Sequence, residues 1–221
     1  MNRTGIINYL AQKIEAETYL EIGVGHGGNF RPVNCALKVG VEPKTEAQRG
    51  HKIGDLRDNE TVHLMTSDKF FDEDDLGAWG GPSTFDLVFI DGLHDAKQVE
   101  RDILNALNVL NEGGFIVCHD MNPIKEEYQI VPRTSNVWNG DCWKAWAKVR
   151  VSNPDLEMFV VDTDYGCGVI NRETKVFWKY FNVDETTTST ILEYKISYNY
   201  FNKHRKRLLN LISVEEFNET Y

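Results

Sequence analysis

The apolar positions change their period along the chain, and each change marks an element. In residues 4–15, Ile6, Ile7, Leu10, Ala11 and Ile14 recur at helical spacing, and Thr4 is placed to cap that helix. Five short apolar runs follow: TYLEIG (18–23), ALKVGVEP (36–43), TVHLMT (61–66), FDLVFIDG (85–92) and GGFIVCHD (113–120). Their brevity, and the glycine, proline or acid that bounds each, read as buried strands. Between the fourth and fifth, DAKQVERDILNALNVLNEG sets Val99, Ile103, Leu107 and Leu110 on one stripe. Asp95 is placed to cap the start of this helix, and Gly113 lies where its C-cap belongs. Strands alternating with helices predict a parallel sheet covered on both faces.

After residue 120 the regularity stops. Residues 121–141 carry two prolines and no clean period, and a loop of that length in a compact domain is usually functional or disordered. With Tyr128, Arg133 and Trp138 it is the natural lid and substrate-contact region. A helix is expected at about 141–151, where Trp143 and Trp146 are core candidates. LEMFVVDTD (156–164) and GCGVINR (166–172) read as a hairpin closed by a tight Asp-Tyr-Gly connection. KVFWKYF (175–181) continues the second strand or pairs at the edge, and a last helix is expected near 197–212. The acidic run DEDD at 72–75 reads as solvated loop.

The 221 residues carry a net charge of −10 and a pI near 5.1, so the chain lacks the basic footprint of a nucleic-acid binder. The one basic cluster, KHRKRLL at 203–209, reads as a solvated helix face. No apolar run approaches the ~18 residues of a membrane span. No membrane partner is therefore expected, and the N-terminus lacks the apolar stretch of a signal peptide. Cys35, Cys118, Cys142 and Cys167 form no CxxC pair, which argues against structural zinc and for reduced thiols in a cytoplasmic protein. Oligomeric state stays open, a homo-oligomer included.

The stretch YLEIGVGHGG (19–28) carries the first chemistry. Gly23-x-Gly25-x-x-Gly28 fits a dinucleotide fingerprint, and Gly23-x-Gly25-x-Gly27 fits the glycine loop of S-adenosylmethionine (SAM) methyltransferases. The charges separate the two. Glu21 precedes the glycines, where a pyrophosphate would meet a like charge and the ammonium and sulfonium of SAM an opposite one. Glu42 and Asp91 also fall at strand ends, together with Asp120, and ligands of open α/β sheets bind at that edge. Glu42, nineteen residues after Gly23, suits the two ribose hydroxyls of either cofactor. Ser67 and Asp68 lie near the expected adenine edge, or cap a helix on DKFF, or both.

The segments YLEIGVGHGGNF, VGVEPK, FDLVFIDGLHDAKQVERDI, GGFIVCHDMNP and WNGDCWKAWAKVR resemble the class I SAM-dependent methyltransferases. Within them they are similar to the small-molecule O-methyltransferase group that includes macrolide-sugar and catechol-type enzymes. The resemblance spans roughly residues 17–172. It implies a Rossmann-like α/β three-layer sandwich whose seven-stranded, mostly parallel sheet runs 3-2-1-4-5-7-6, with strand 7 antiparallel. On this reading residues 1–181 are the methyltransferase domain, 121–141 its lid, and 182–221 a helical extension packed on it.

The group often holds a divalent metal at the ends of strands 4 and 5, where this chain places Asp91, His119 and Asp120. Two carboxylates and an imidazole suit Mg²⁺ or Mn²⁺, which would lower the pKa of a substrate hydroxyl and aim it at the methyl group. Better-known members carry Glu-Asp or Asp-Asn where this chain has His119-Asp120, and Asp120 is equally placed to cap the following turn. At three residues beyond the first acid the group carries a Lys or His that takes the hydroxyl proton. Here that residue is His94, with solvated N-cap surroundings as the other reading. His26 faces the cofactor carboxylate or solvent.

The expected function is SAM-dependent O-methylation of a small-molecule or glycan hydroxyl, with Asp91 and His94 catalytic. Glu21, Gly23, Gly25, Gly27, Glu42, Ser67, Asp68 and Asp91 would bind the cofactor. An NAD-dependent oxidoreductase and a non-catalytic nucleoside-binding domain of the same fold stay open as alternatives. Glu21 opposes the first, and the gathered acids have no purpose in the second.

Overall fold

A computed structural model describes residues 1–44, 53, 55–72, 81–173, 177 and 183–221. The expectations for the DEDD run beyond Asp72, and for KVFWKYF apart from Phe177, lie outside the described residues. The strands are β1 (Thr18–Ile22), β2 (Leu37–Val41), β3 (Glu60–His63), β4 (Phe85–Ile90), β5 (Leu110–Cys118), β6 (Glu157–Val161), β7 (Cys167–Asn171) and β8 (Leu211–Ile212). They form one sheet in the order β3-β2-β1-β4-β5-β7-β6-β8. The first five strands are parallel, β7 is antiparallel to both β5 and β6, and β8 runs parallel to β6. The Rossmann-like order 3-2-1-4-5-7-6 is as the resemblance implied, and β8 extends it by a short strand.

Alternate residues of each central strand feed opposite faces. Tyr19, Leu87, Phe89, Phe115, Val117, Phe159 and Val161 pack with α1 (Arg3–Lys13), whose buried side is Ile6, Ile7, Leu10 and Ala11. Leu20, Ile22, Val88, Ile90, Ile116 and Val160 pack against the helices of the other face. These are α3 (Ala96–Val109), α4 (Cys142–Ser152) and α6 (Tyr198–Leu209), which bring Val99, Ile103, Trp143, Trp146 and Phe201. A sheet buried on both sides explains why these strands read as unbroken apolar runs.

Several helix ends differ from expectation. Asn2, not Thr4, caps α1 by accepting from Gly5 N. Thr66 caps α2 (Ser67–Phe71), so Ser67 and Asp68 form its first turn. Asp95 caps α3 as expected, accepting from Lys97 N and Gln98 N. Gly113 is not a helix cap. α3 stops at Val109 and the chain runs straight into β5, where the pairing with β4 shifts between Phe85↔Leu110 and Leu87↔Phe115. The extra residues need a backbone turn, which Gly113 makes at φ +72°. α5 (Glu185–Leu192) and α7 (Val214–Thr220) carry too weak a period to have been expected.

Candidate active site

The glycine loop leaves β1 and presses against the end of β4. Gly23 has φ +90°, and a Cβ there would lie 2.2 Å from the Asp91 carbonyl oxygen. Only glycine combines that angle with that approach. Gly25 and Gly27 also have positive φ, at +54° and +76°, whereas Gly28 does not and a Cβ there meets nothing among the described residues. Gly25 N donates to Glu42 Oε2 at 2.8 Å and Lys44 N to Oε1 at 2.9 Å, so Glu42 ties the loop to the end of β2.

Two clefts share this loop. The first, about 500 Å³, is bounded by Gly23, Gly25, Glu42, Ser67, Asp68 and Asp91, with His26 and Gln98. It gathers the residues expected around a nucleoside. Asp68 is pinned at its far side by Arg101 and Gln98. The second cleft, about 650 Å³, opens beside Asp91 and is bounded by Arg3, Glu21, Asn29, His94 and Asp164. Glu21 lies in this cleft rather than the first. It is 1 % exposed, and its Oε2 accepts from Tyr19 Oη at 2.6 Å and Asn29 Nδ2 at 3.2 Å. Burial outweighs those hydrogen bonds and pushes its pKa up to about 8.

At the sheet edge the side chains converge as the strand order dictates. His94 Nε2 lies 3.2 Å from Asp91 Oδ1, and its Nδ1 lies 3.3 Å from Asp120 Oδ2 and 3.2 Å from the Trp138 carbonyl. Burial opposes the His94 imidazolium, but Asp91 and Asp120 outweigh it and raise the pKa above the ordinary 6.5. Asp91 is correspondingly held well below the carboxylate range: burial acts upward, and His119 and His94 overcome it. His119 Nδ1 sits 3.5 Å from Asp91 Oδ1 and 3.2 Å from Asp120 Oδ2. Its Nε2 is 2.6 Å from Arg3 Nη1 and 3.6 Å from Asp164 Oδ1. Burial disfavours a second proton on this ring, while Asp120, Asp164 and Asp91 favour one. The Arg3 contact decides the matter at Nε2: a guanidinium only donates, so Nε2 accepts and the ring proton sits on Nδ1.

Asp120 does not cap the following turn. It stands at φ +65° and accepts a hydrogen bond from Asn139, within the 121–141 loop. That loop closes over His94. Trp138 stacks on the imidazole with centroids 5.1 Å apart, and a Cβ at Gly140 (φ +63°) would lie 2.0 Å from the His94 carbonyl oxygen. Arg133 instead binds carbonyls of its own loop, and Trp143 and Trp146 are fully buried in the core.

Two participants were missed in the sequence. Asp164 follows β6, which runs parallel to β5, so the strand-end rule would have found it. Arg3 carried no signal, because nothing local says that the start of α1 reaches the sheet edge.

Residues 20–121 match the family model described as a methyltransferase domain. Among solved structures, a cofactor-bound protein of MTB is similar at 20% identity, with 78% of this chain and 80% of that one covered and a TM-score of 0.55. An O-methyltransferase from Bacillus cereus in complex with SAH follows at 16% identity, coverage of 76% and 79%, and a TM-score of 0.54. The O-methyltransferase TomG from Streptomyces achromogenes, in complex with SAM, has 16% identity, coverage of 76% and 77%, and a TM-score of 0.52. No protein of curated function matches the chain. Residues 20–121 are thus similar to a methyltransferase domain, and the fold is one shared with SAM- and SAH-bound O-methyltransferases.

Among the described residues, no helix is long and apolar enough to cross a membrane. All four cysteines are free and buried.

Proposed function

We propose that the enzyme methylates a hydroxyl of a small molecule or glycan, with His94 as general base. The observation that carries this reading is the convergence of Asp91, His94 and Asp120 where the two clefts meet. The first cleft takes the nucleoside of SAM, with Glu42 toward the ribose and Ser67 and Asp68 toward the adenine, and the second takes the acceptor. SAM, when bound, supplies an electrophilic methyl group. The protein's own work is alignment, proton removal and exclusion of water.

His94 accepts the hydroxyl proton once its own imidazolium has deprotonated. Neutral His94 donates Nδ1–H to the Trp138 carbonyl and receives the hydroxyl proton at Nε2, where the imidazolium formed pairs with Asp91 Oδ1. Trp138 and the loop around it cover the imidazole from solvent.

A divalent cation fits the same edge. Asp91, His94 and Asp120 each offer a ligand atom, all within 4.8 Å of one another. His119 Nδ1, 3.5 Å from Asp91 and 3.2 Å from Asp120, would join that set once a metal displaces its ring proton, which leaves His94 to act as base. Mg²⁺ or Mn²⁺ held there would lower the pKa of the acceptor hydroxyl. The reduced cysteines favour a cytoplasmic setting for this chemistry.

Calorimetric titration with SAM, followed by methyl transfer to hydroxylated acceptors with and without a chelator, tests the reading. Saturable SAM binding and chelator-sensitive transfer are expected. Absence of SAM binding at millimolar ligand would overturn the reading, and transfer indifferent to the chelator would remove the metal alone.

A further inference from the structure

The second cleft contains a cation that the mechanism above leaves without a task. Arg3 opens α1 and forms part of the cleft wall, beside Asp91, His94 and Asp164. Its backbone N–H donates to Asp164 Oδ2 at 3.1 Å, and Nη1 contacts His119 Nε2 at 2.6 Å and Asp164 Oδ1 at 3.4 Å. Those bonds fix one corner of the guanidinium. Nε and Nη2 make no hydrogen bond among the described residues, and the side chain is 34% exposed. A guanidinium anchored at one corner, with donors unused in an open cleft, is suited to a planar oxyanion, which it can grip through two parallel N–H bonds.

The neighbouring acids do not cancel this attraction. Asp91 is engaged by both imidazoles, Asp120 by both imidazoles and Asn139, and Asp164 by the backbone N–H and guanidinium of Arg3. The cleft's unengaged hydrogen-bonding capacity near the proposed base therefore includes the donors of one positive group.

We propose that Arg3 selects an acceptor bearing a carboxylate near the hydroxyl that is methylated. The inference rests on the methyltransferase reading and adds to it the charge of the substrate. Arg3 grips the carboxylate, His94 receives the hydroxyl proton, and the span between them sets which hydroxyl is presented.

The test uses two matched pairs of probes on the full chain preloaded with SAH: a dihydroxybenzoate against its neutral amide, and glucuronate against glucose. Calorimetry on the wild type should show the charged member of at least one pair binding about ten-fold tighter, the scale of a hydrogen bond to a charged group. Arg3→Gln should bring that ratio close to one, and Arg3→Lys should keep part of it. Three results overturn the proposal: equal or undetectable binding of both members in both pairs, a ratio that survives Arg3→Gln, or a loss of SAH affinity in Arg3→Gln. The last would assign Arg3 to the cofactor's own carboxylate. Failure of SAH to bind the wild type is a different outcome, and it sinks the methyltransferase reading itself.

Discussion

Glu21 shows how a single letter can be legible in position and silent about its state. Its place before the glycines is legible in the sequence, but its protonation is not, because that depends on Tyr19, Asn29 and the depth of the second cleft. Between about pH 4.5 and about 8 the folded chain holds this proton and the unfolded chain releases it. Stability from this group is thus fully present at low pH and is lost as pH rises through the folded-state value. Glu21→Gln should melt above the wild type at pH 8 and level with it near pH 4.5, read by calorimetric or fluorescence melting. A cationic group beside Glu21 reverses the preference, so a ligand that presents one in the second cleft should release a proton near pH 7 in the wild type and none in the Gln variant. His94 carries the opposite lesson. Its spacing from Asp91 is readable, and its neighbours Asp120 and Trp138 come from elements that no local pattern connects. His94→Ala should lower turnover by about 10²–10⁴-fold while SAM affinity is kept. The wild-type rate at saturating SAM should climb with pH through a midpoint above the ordinary histidine value, since Asp91 and Asp120 raise it.

At the scale of elements, the strands were legible and the 121–141 loop was not. Strands announce themselves because both faces of the sheet are covered and most of their residues are apolar. The loop has no period, since its backbone is held by individual bonds: Asn139 to Asp120, Trp138 Nε1 to the Ile130 carbonyl, and Asp141 Oδ1 accepting from Ala96 N. The last of these joins the loop to the first turn of α3, directly behind His94. Gly140 is the tightest point of that junction, with its positive φ and its 2.0 Å Cβ clearance to His94. Gly140→Ala should therefore displace the loop or the base and cost about 10²-fold in kcat. SAM affinity, measured by titration, should be unchanged, because the first cleft does not include this residue. The same glycine logic sorts the loop after β1. Gly23 is demanded by the Asp91 carbonyl, whereas Gly28, the letter that completes the dinucleotide fingerprint, meets no constraint among the described residues.

Across the whole molecule, the order of the sheet places five acidic strand ends on one edge, and the helices supply the core that keeps them there. Trp146 is fully buried, and Gly168 on β7 lies flat beneath it, where a Cβ would come 2.4 Å from Cζ3. Trp146→Ala should cost roughly 3–5 kcal/mol, measured by urea unfolding, and Gly168→Ala should destabilise the wild type but not the Trp146→Ala variant, which has lost the ring it would strike. The C-terminal elements α5, β8 and α7 were the least legible, since their helices are short and β8 is only two residues long. The ends of the chain lie at opposite ends of α1. Thr163 Oγ1 holds the Met1 carbonyl at 2.5 Å, beside Asp164 and the second cleft. Tyr221 accepts from Lys13 Nζ at 2.6 Å, one helix length of about 16 Å away. A fusion partner or affinity tag joined ahead of Met1 must leave the fold at the mouth of the second cleft, the proposed acceptor entrance, and crowd it. One joined after Tyr221 departs from the far end of α1 and leaves that entrance clear.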